Sequence, residues 1–318
     1  MTTATTHAMS STTSATTLHH ESVLLSEAVT GLMLAPSDTV VDATVGGAGH
    51  FTALLSGLDA RGTLIGIDAD EAALTRARER MGHTDATVHL VRDNFRNVSA
   101  VLDRLSVRVV QKSLFDLGWS GYQLGEGRGF SFKGSEPLLM TYGEAGEGES
   151  AADAVNTLSE EDLANIIFEY GEEQYARRIA RGIVAARKLA PIITTDALVS
   201  IIETSTPRAY HHRRIHPATK TFQALRIYVN DEFGAIREGL AAVLSKTSNG
   251  GRIAVITFHS LEDRIVKNIF KDAARDGKGV VITKKPIVPT LEECTKNPRA
   301  RSAKLRIFEV RTDHAYAS

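Results

Sequence analysis

Two patterns of apolar and polar positions take turns along this chain. Short runs of Val, Ile and Leu alternate with longer stretches in which apolar residues return every three or four positions. Thr39–Ala43, Thr63–Ile67 and Thr87–Val91 are such runs. A short continuous apolar run bounded by turn residues suits a strand covered on both faces. Helical spacing follows each run, over His50–Gly57, Glu71–Met81 and Asn97–Leu105. Strands alternating with helices in this way predict βαβ units and a parallel sheet.

A fourth strand is expected over Ser113–Gly118, where Gln111, Lys112 and Ser113 are polar for a central position. Gly251–Thr257 reads as a fifth, followed by a helix from Ser260, and Val280–Thr283 with Lys304–Val310 reads as a closing pair. Between Tyr122 and about Lys220 the alternation stops. Gly-rich loops over 125–132 and 142–150 lead into helical patterns at Glu160–Tyr170, Glu173–Lys188 and Asp196–Thr204. The predicted organisation is a Ser/Thr-rich disordered tail over 1–18, a sheet domain over 19–121 and 221–318, and a helical insertion over 122–220. An insertion there lies beside the carboxyl ends of the strands, where open α/β sheets bind ligands.

Composition narrows this only a little. The 318 residues are 42% hydrophobic and 24% charged, with a net charge of −1, ordinary values for a globular protein. No apolar run approaches membrane-spanning length. The tail carries neither a secretory nor an Arg-rich targeting pattern, so a cytoplasmic protein is expected. A single cysteine, Cys294, rules out an internal disulfide and a Cys-cluster zinc site.

The first strand runs into "VVDATVGGAGH", Val40–His50. Glycines here let backbone approach a ligand, and the following helix presents free N–H groups. The spacing is neither G-x-G-x-x-G nor a P-loop, which argues against a nicotinamide-dependent dehydrogenase. Asp68 ends the second strand 22 residues after Gly46, where an acid commonly accepts from ribose hydroxyls. The residues alone point to an adenosine-type ligand on a Rossmann-like sheet. Asp42 is placed to hold the loop.

Seven stretches are more specific: "HESVLLSEAV" (20–29), "DLGWSGYQL" (116–124), "RGFSF" (128–132), "YGEEQYARRIARGIV" (170–184), "HPATKTFQALRIYVNDE" (216–232), "FHSLEDRIVK" (258–267) and "KNPRARSAKLR" (296–306). In this order they resemble the ribosomal RNA small subunit methyltransferase H family over about residues 19–310. The resemblance implies a class I methyltransferase sheet, a mostly helical insertion between strands 4 and 5, and S-adenosylmethionine as cofactor. It also implies methylation of N4 of a cytidine in the decoding region of 16S rRNA, the RNA being met in the assembled 30S subunit. It leaves a homodimer open. Carried over by position, the cofactor site falls on Ala48, Gly49, His50, Asp68, Phe95, Asp116 and Gln123. His50 is expected to act through its backbone, and Phe95 to cover the adenine.

A cytosine amino group is a poor nucleophile, so catalysis rests on aligning it with the methyl donor. Asp116 and Trp119 are the candidate catalytic residues: Asp116 anchors the methionine amino group or accepts from the base, and Trp119 stacks on an extruded cytosine or packs in the core. Two basic stretches, Pro207–Lys220 and Lys296–Arg306, are expected to hold RNA phosphates through Arg213, Arg214, Lys220, Arg226, Arg299, Arg301 and Lys304. No metal is implied, and Ser260 with Asp263 reads as a capping-box variant.

The chain departs from the family in "EPLLMTYG", Glu136–Gly143. Leu139, Thr141 and Gly143 stand where the family has an acid, an arginine and an acid. This keeps an RNA-binding relative with altered or lost activity as the alternative.

Overall fold

The computed structural model describes residues 22–118, 127–132, 134–142, 148–212 and 215–311. Trp119, Gln123, Gly143, Arg213, Arg214 and the N-terminal tail lie outside the described residues.

The sheet has seven strands: β1 (Thr39–Asp42), β2 (Thr63–Asp68), β3 (Thr87–Arg92), β4 (Val110–Asp116), β5 (Thr247–Thr257), β6 (Gly279–Val281) and β7 (Lys304–Val310). Their order is β3-β2-β1-β4-β5-β7-β6. The first five are parallel, and β7 runs antiparallel between β5 and β6. The closing pair is therefore where the periodicity placed it.

Alternation along each strand explains the two-sided core. Val40 and Leu64 face one layer, while Val41 and Ile65 face the other. On the first face sit α1 (Leu25–Leu32), α2 (Gly49–Leu55) and α3 (Glu71–Arg80), which bury Leu32, Phe51, Leu54 and Leu74. On the second sit α4 (Val98–Arg104), α11 (Glu232–Lys246) and α12 (Ser260–Arg275), with Val101, Leu240 and Phe270. Each such side chain contributes about 1.5–3 kcal/mol by leaving water.

β4 begins at Val110, earlier than its polar start suggests. Gln111 and Lys112 are engaged around the start of β1, while Ser113 Oγ is buried without a hydrogen-bond partner. Gln111 Oε1 accepts from Thr39 N at 2.8 Å, and Lys112 Nζ lies 4.0 Å from Asp38. α11 was not legible in the sequence, because Gly234 and Gly239 interrupt its pattern. Gly239 is required there: a Cβ would stand 2.9 Å from the Phe95 ring.

The insertion is helical: α5 (Ala151–Thr157), α6 (Glu160–Gly171), α7 (Ala176–Arg187), α8 (Thr195–Ser205) and α9 (Arg208–His211). It has a separate core built on Leu163, Ile167, Ile179 and Leu198. α10 (Thr219–Val229) runs across the expected boundary at residue 220. Its Phe222 and Leu225 pack in the insertion, and its Ile227 packs under the sheet. The two units share one helix.

Glu136–Tyr142 strengthens that joint. Leu138 and Met140 are buried in the insertion core, and Asn230 accepts from Tyr142 N at 2.9 Å while donating to Met140 O at 2.7 Å. Thr141 is buried where the family's arginine is expected.

Candidate functional site

Strand order reverses between β1 and β4, so a crevice opens at their carboxyl ends. The loop from β1 to α2 passes through the left-handed region twice, at Gly46 (φ 51) and Ala48 (φ 62). For alanine this conformation is unfavourable and marks a constrained loop. Two α3 arginines hold its carbonyls: Arg76 Nε donates to Gly46 O at 3.3 Å and Arg80 Nη1 to Gly47 O at 2.6 Å. Across a planar trans peptide the next N–H is antiparallel, so Gly47 N–H faces away from Arg76. Neither arginine stands out in the sequence, where both look like ordinary helical charge.

The acids gather around this loop. Asp68 Oδ2 accepts from Gly46 N at 2.8 Å and Oδ1 from Asp70 N at 2.9 Å, which ties the loop to the end of β2. Each of those oxygens retains a second lone pair. Asp42 is fully buried and holds the loop as expected, accepting from Thr44 N at 3.2 Å. Thr44 in turn accepts from Asp116 N at 2.7 Å.

His50 is buried, and its ring is the engaged part. Nε2 donates to Val23 O at 3.1 Å, and Nδ1 faces Asp116 Oδ2 at 3.4 Å. Burial pulls the ring's pKa down, but the Asp116 contact outweighs this and leaves it raised. His50 therefore supports Asp116 through its side chain, a contact separate from the backbone role expected of it towards the cofactor.

Desolvation dominates the carboxylates. Burial pushes Asp42 up to about 7 and Asp68 up to about 6. Asp42 Oδ2 and Asp116 Oδ1 are buried without a hydrogen-bond partner. Three acids converging with one histidine fit a cationic ligand rich in N–H and O–H donors. S-adenosylmethionine carries a sulfonium, an ammonium and ribose hydroxyls, and so meets that requirement.

Phe95 follows β3 in a 3-10 turn (Phe95–Asn97), half-buried, its ring edge-on to Phe115 at 5.8 Å. The core fixes this ring.

A second cavity, of about 280 Å³, adjoins the ends of β4 and β5. Leu117 and Gly118 line one side and Phe130, Phe132, Phe222 and Phe258 form apolar walls. Its polar groups include Arg226, His259 and Glu262, with Thr219, Gln223, Arg299 and Ser302 also on the lining. The helix cap here is His259, not Ser260. Its Nδ1 accepts from Glu262 N at 3.3 Å, while Glu262 Oε2 accepts from Phe258 N at 2.7 Å. The box sits one residue earlier than the hydroxyl suggested, because a histidine nitrogen serves as the acceptor.

Among the described residues, Glu232, His259 and Glu262 bring ligand atoms within 4.8 Å of one another. Glu232 is already matched: Arg226 donates Nε at 2.7 Å and Nη2 at 3.0 Å, and Tyr142 Oη donates at 2.8 Å.

That pairing corrects one RNA expectation. Arg226 lines the cavity, but its guanidinium is buried and engaged by Glu232, so it is no phosphate clamp. Lys304 is drawn back to Asp263 at 3.2 Å, beside the Arg306–Asp263 pair at 2.6 Å. Lys220 Nζ donates to Glu172 O at 2.6 Å. Arg299 and Arg301 are exposed on a 3-10 turn (Pro298–Ser302), with Arg299 at the cavity rim.

The MraW methylase family matches residues 17–311. The chain belongs to this family. The "Ribosomal RNA small subunit methyltransferase H" of Brevibacillus brevis is 46% identical over 307 residues, covering 92% of this chain and 98% of that one. The protein of the same name from Deinococcus deserti is 49% identical over 301 residues, covering 94% and 95%. A crystal structure of a putative rRNA-methylase from Clostridium thermocellum is similar with TM-score 0.45 at 14% identity, covering 91% and 98%. The chain is a methyltransferase whose methyl donor is S-adenosylmethionine.

Proposed function

We propose that this methyltransferase acts on the N4 amino group of a cytidine in small-subunit rRNA, met in the assembled 30S subunit in the cytoplasm. One observation carries the reading: relatives of that name match this chain at 46–49% identity along nearly their whole length. The site's chemistry supports it.

S-adenosylmethionine supplies an electrophilic methyl group on a sulfonium. The chain's part is to hold and align. Gly47 N–H and the second lone pairs of Asp68 offer complementary partners for carboxylate and hydroxyl groups. Asp116 Oδ1, buried and unpartnered, suits an ammonium, and His50 fixes that carboxyl from behind. The cytosine enters from the β4–β5 side, where Leu117 and Gly118 follow Asp116 directly. Holding reacting atoms in line at about 3–3.5 Å supplies much of the rate for a weak nucleophile. Trp119 is next in the sequence and is retained as the stacking candidate, and Gln123 as a cofactor contact.

Arg299 at the rim and Arg301 on the same turn, with Lys220, Arg213 and Arg214, would position phosphates without reading sequence. The test is transfer of a labelled methyl group to unmodified 30S subunits and, in parallel, to free 16S rRNA. Transfer to the subunits is expected. No transfer to either, with the donor bound, would favour the inactive RNA-binding alternative raised by Glu136–Gly143.

A further inference from the structure

The aromatic cavity contains a polar pair, His259 and Glu262, that caps α12 and still leaves His259 Nε2 without a hydrogen-bond partner. The helix cap fixes the tautomer of His259. Nδ1 accepts from Glu262 N at 3.3 Å, so in the neutral ring the proton lies on Nε2. That Nε2–H is buried and has no hydrogen-bond partner. Glu262 Oε1 lies 3.0 Å from it, but without hydrogen-bond alignment. Glu262 Oε2 is occupied by Phe258 N and His259 N at 2.7 and 3.2 Å, which holds the carboxylate in place. A buried donor without a partner is costly, and such groups in native structures call for an explanation.

The surroundings say what completes it. At about 280 Å³ the cavity lies just under the ~300–1,000 Å³ range of small-molecule sites, a size for one ring and not for a whole nucleotide cofactor. Phe130, Phe132, Phe222 and Phe258 give it apolar walls suited to a flat heteroaromatic. Arg226 on the lining is matched by Glu232, which also accepts from Tyr142 Oη. Among the other polar lining groups, which include Thr219, Gln223, Arg299 and Ser302, His259 and Glu262 set a donor and an acceptor 3.0 Å apart.

Cytosine presents the complementary edge, with N3 accepting beside an N4 amino group that donates. Uracil presents the reverse, with N3 donating beside an accepting O4. We propose that His259 and Glu262 are the base-reading pair: His259 Nε2–H donates to cytosine N3, and Glu262 Oε1 accepts from the N4 amino group. The inference rests on the cytidine reading above and deepens it. Glu262 also turns the amino group so that one N–H is held and the nitrogen lone pair is presented. Both residues touch the base, while Arg226, Glu232 and Tyr142 act through them as positioning residues.

Two variants test the pair while keeping the cap. His259→Asn retains an acceptor for Glu262 N but removes the Nε2 donor. Glu262→Gln keeps the shape and puts an NH₂ where the acceptor stood. Binding of short RNAs carrying either C or U at the target position is measured with the full chain and the donor bound, alongside methyl transfer to 30S subunits. The wild type is expected to prefer C by about tenfold or more, the discrimination of one good edge pair. Both variants are expected to lose that preference and to lower kcat/KM by at least the same factor, with donor affinity and the salt dependence of RNA binding unchanged. A C-over-U preference retained in both variants would overturn the pair. Equal loss of donor binding would make the two residues structural and overturn it as well. If the wild type neither transfers methyl nor discriminates, the cytidine reading fails first and takes this inference with it. Discrimination without transfer by the wild type would keep the base-reading pair and sink only the activity.

Discussion

Asp42 sits in an environment far from that of water. It is fully buried at the end of β1, with His50, Asp116 and Asp68 as its charged neighbours and Thr44 N as a hydrogen-bond donor. Its folded pKa of about 7 lies above the ordinary 3.8. The folded chain therefore keeps a proton that the unfolded chain has already released, and stability falls as pH rises through that window. Asp42→Asn is expected to stabilise the donor-free protein by an amount that grows from about pH 4 and levels off above about pH 7, at about 2–4 kcal/mol. Denaturant unfolding across this range checks it, and a pH-independent difference would contradict it. At this scale the sequence was partly legible. Asp68 and Asp116 were visible because an acid at the end of an apolar run is a recognisable pattern. Arg76 and Arg80 were not, because nothing in "RARER" distinguishes a surface charge from one that grips a loop carbonyl 30 or 33 residues away.

α10 is the element that makes the insertion part of the site. Its first half packs Phe222 and Leu225 in the helical core, and its second half carries Arg226 to Glu232 at the start of α11. Both side chains are about nine-tenths buried. Removing one partner strands a buried charge, so Arg226→Met is expected to cost about 3–5 kcal/mol in chemical unfolding, while Arg226→Met with Glu232→Leu recovers much of the loss. A single variant as stable as the wild type would show that the pair is solvated and does not hold the joint. Periodicity alone does not mark α10, since "TKTFQALRIYV" buries residues on nearly every side between two cores. The strands were easier, because a chain covered on both faces must be continuously apolar. The exception, β4, hides its polar start in contacts with Asp38 and Thr39 that no local pattern reveals.

Across the whole molecule, a net charge of −1 conceals a basic rim. Much of the charge in 296–306 is spent internally, since Lys304 and Arg306 converge on Asp263. Replacing Arg299 and Arg301 by Ala is expected to lower RNA affinity and reduce the log–log salt slope by roughly 0.7 for each phosphate no longer neutralised. The same change at Lys304 is expected to act on stability more than on the slope, and the opposite ranking would move the RNA path away from the 298–302 turn. The family resemblance carried the function across the chain, while the composition alone announced no nucleic acid. The most direct test of the central claim is the identity of the product. Unmodified 30S subunits are incubated with the protein and labelled S-adenosylmethionine, and the rRNA nucleosides are resolved by mass spectrometry. The label is expected in N4-methylcytidine; label in a ring-carbon or ribose methyl, or in no nucleoside while the donor is bound, would contradict the account.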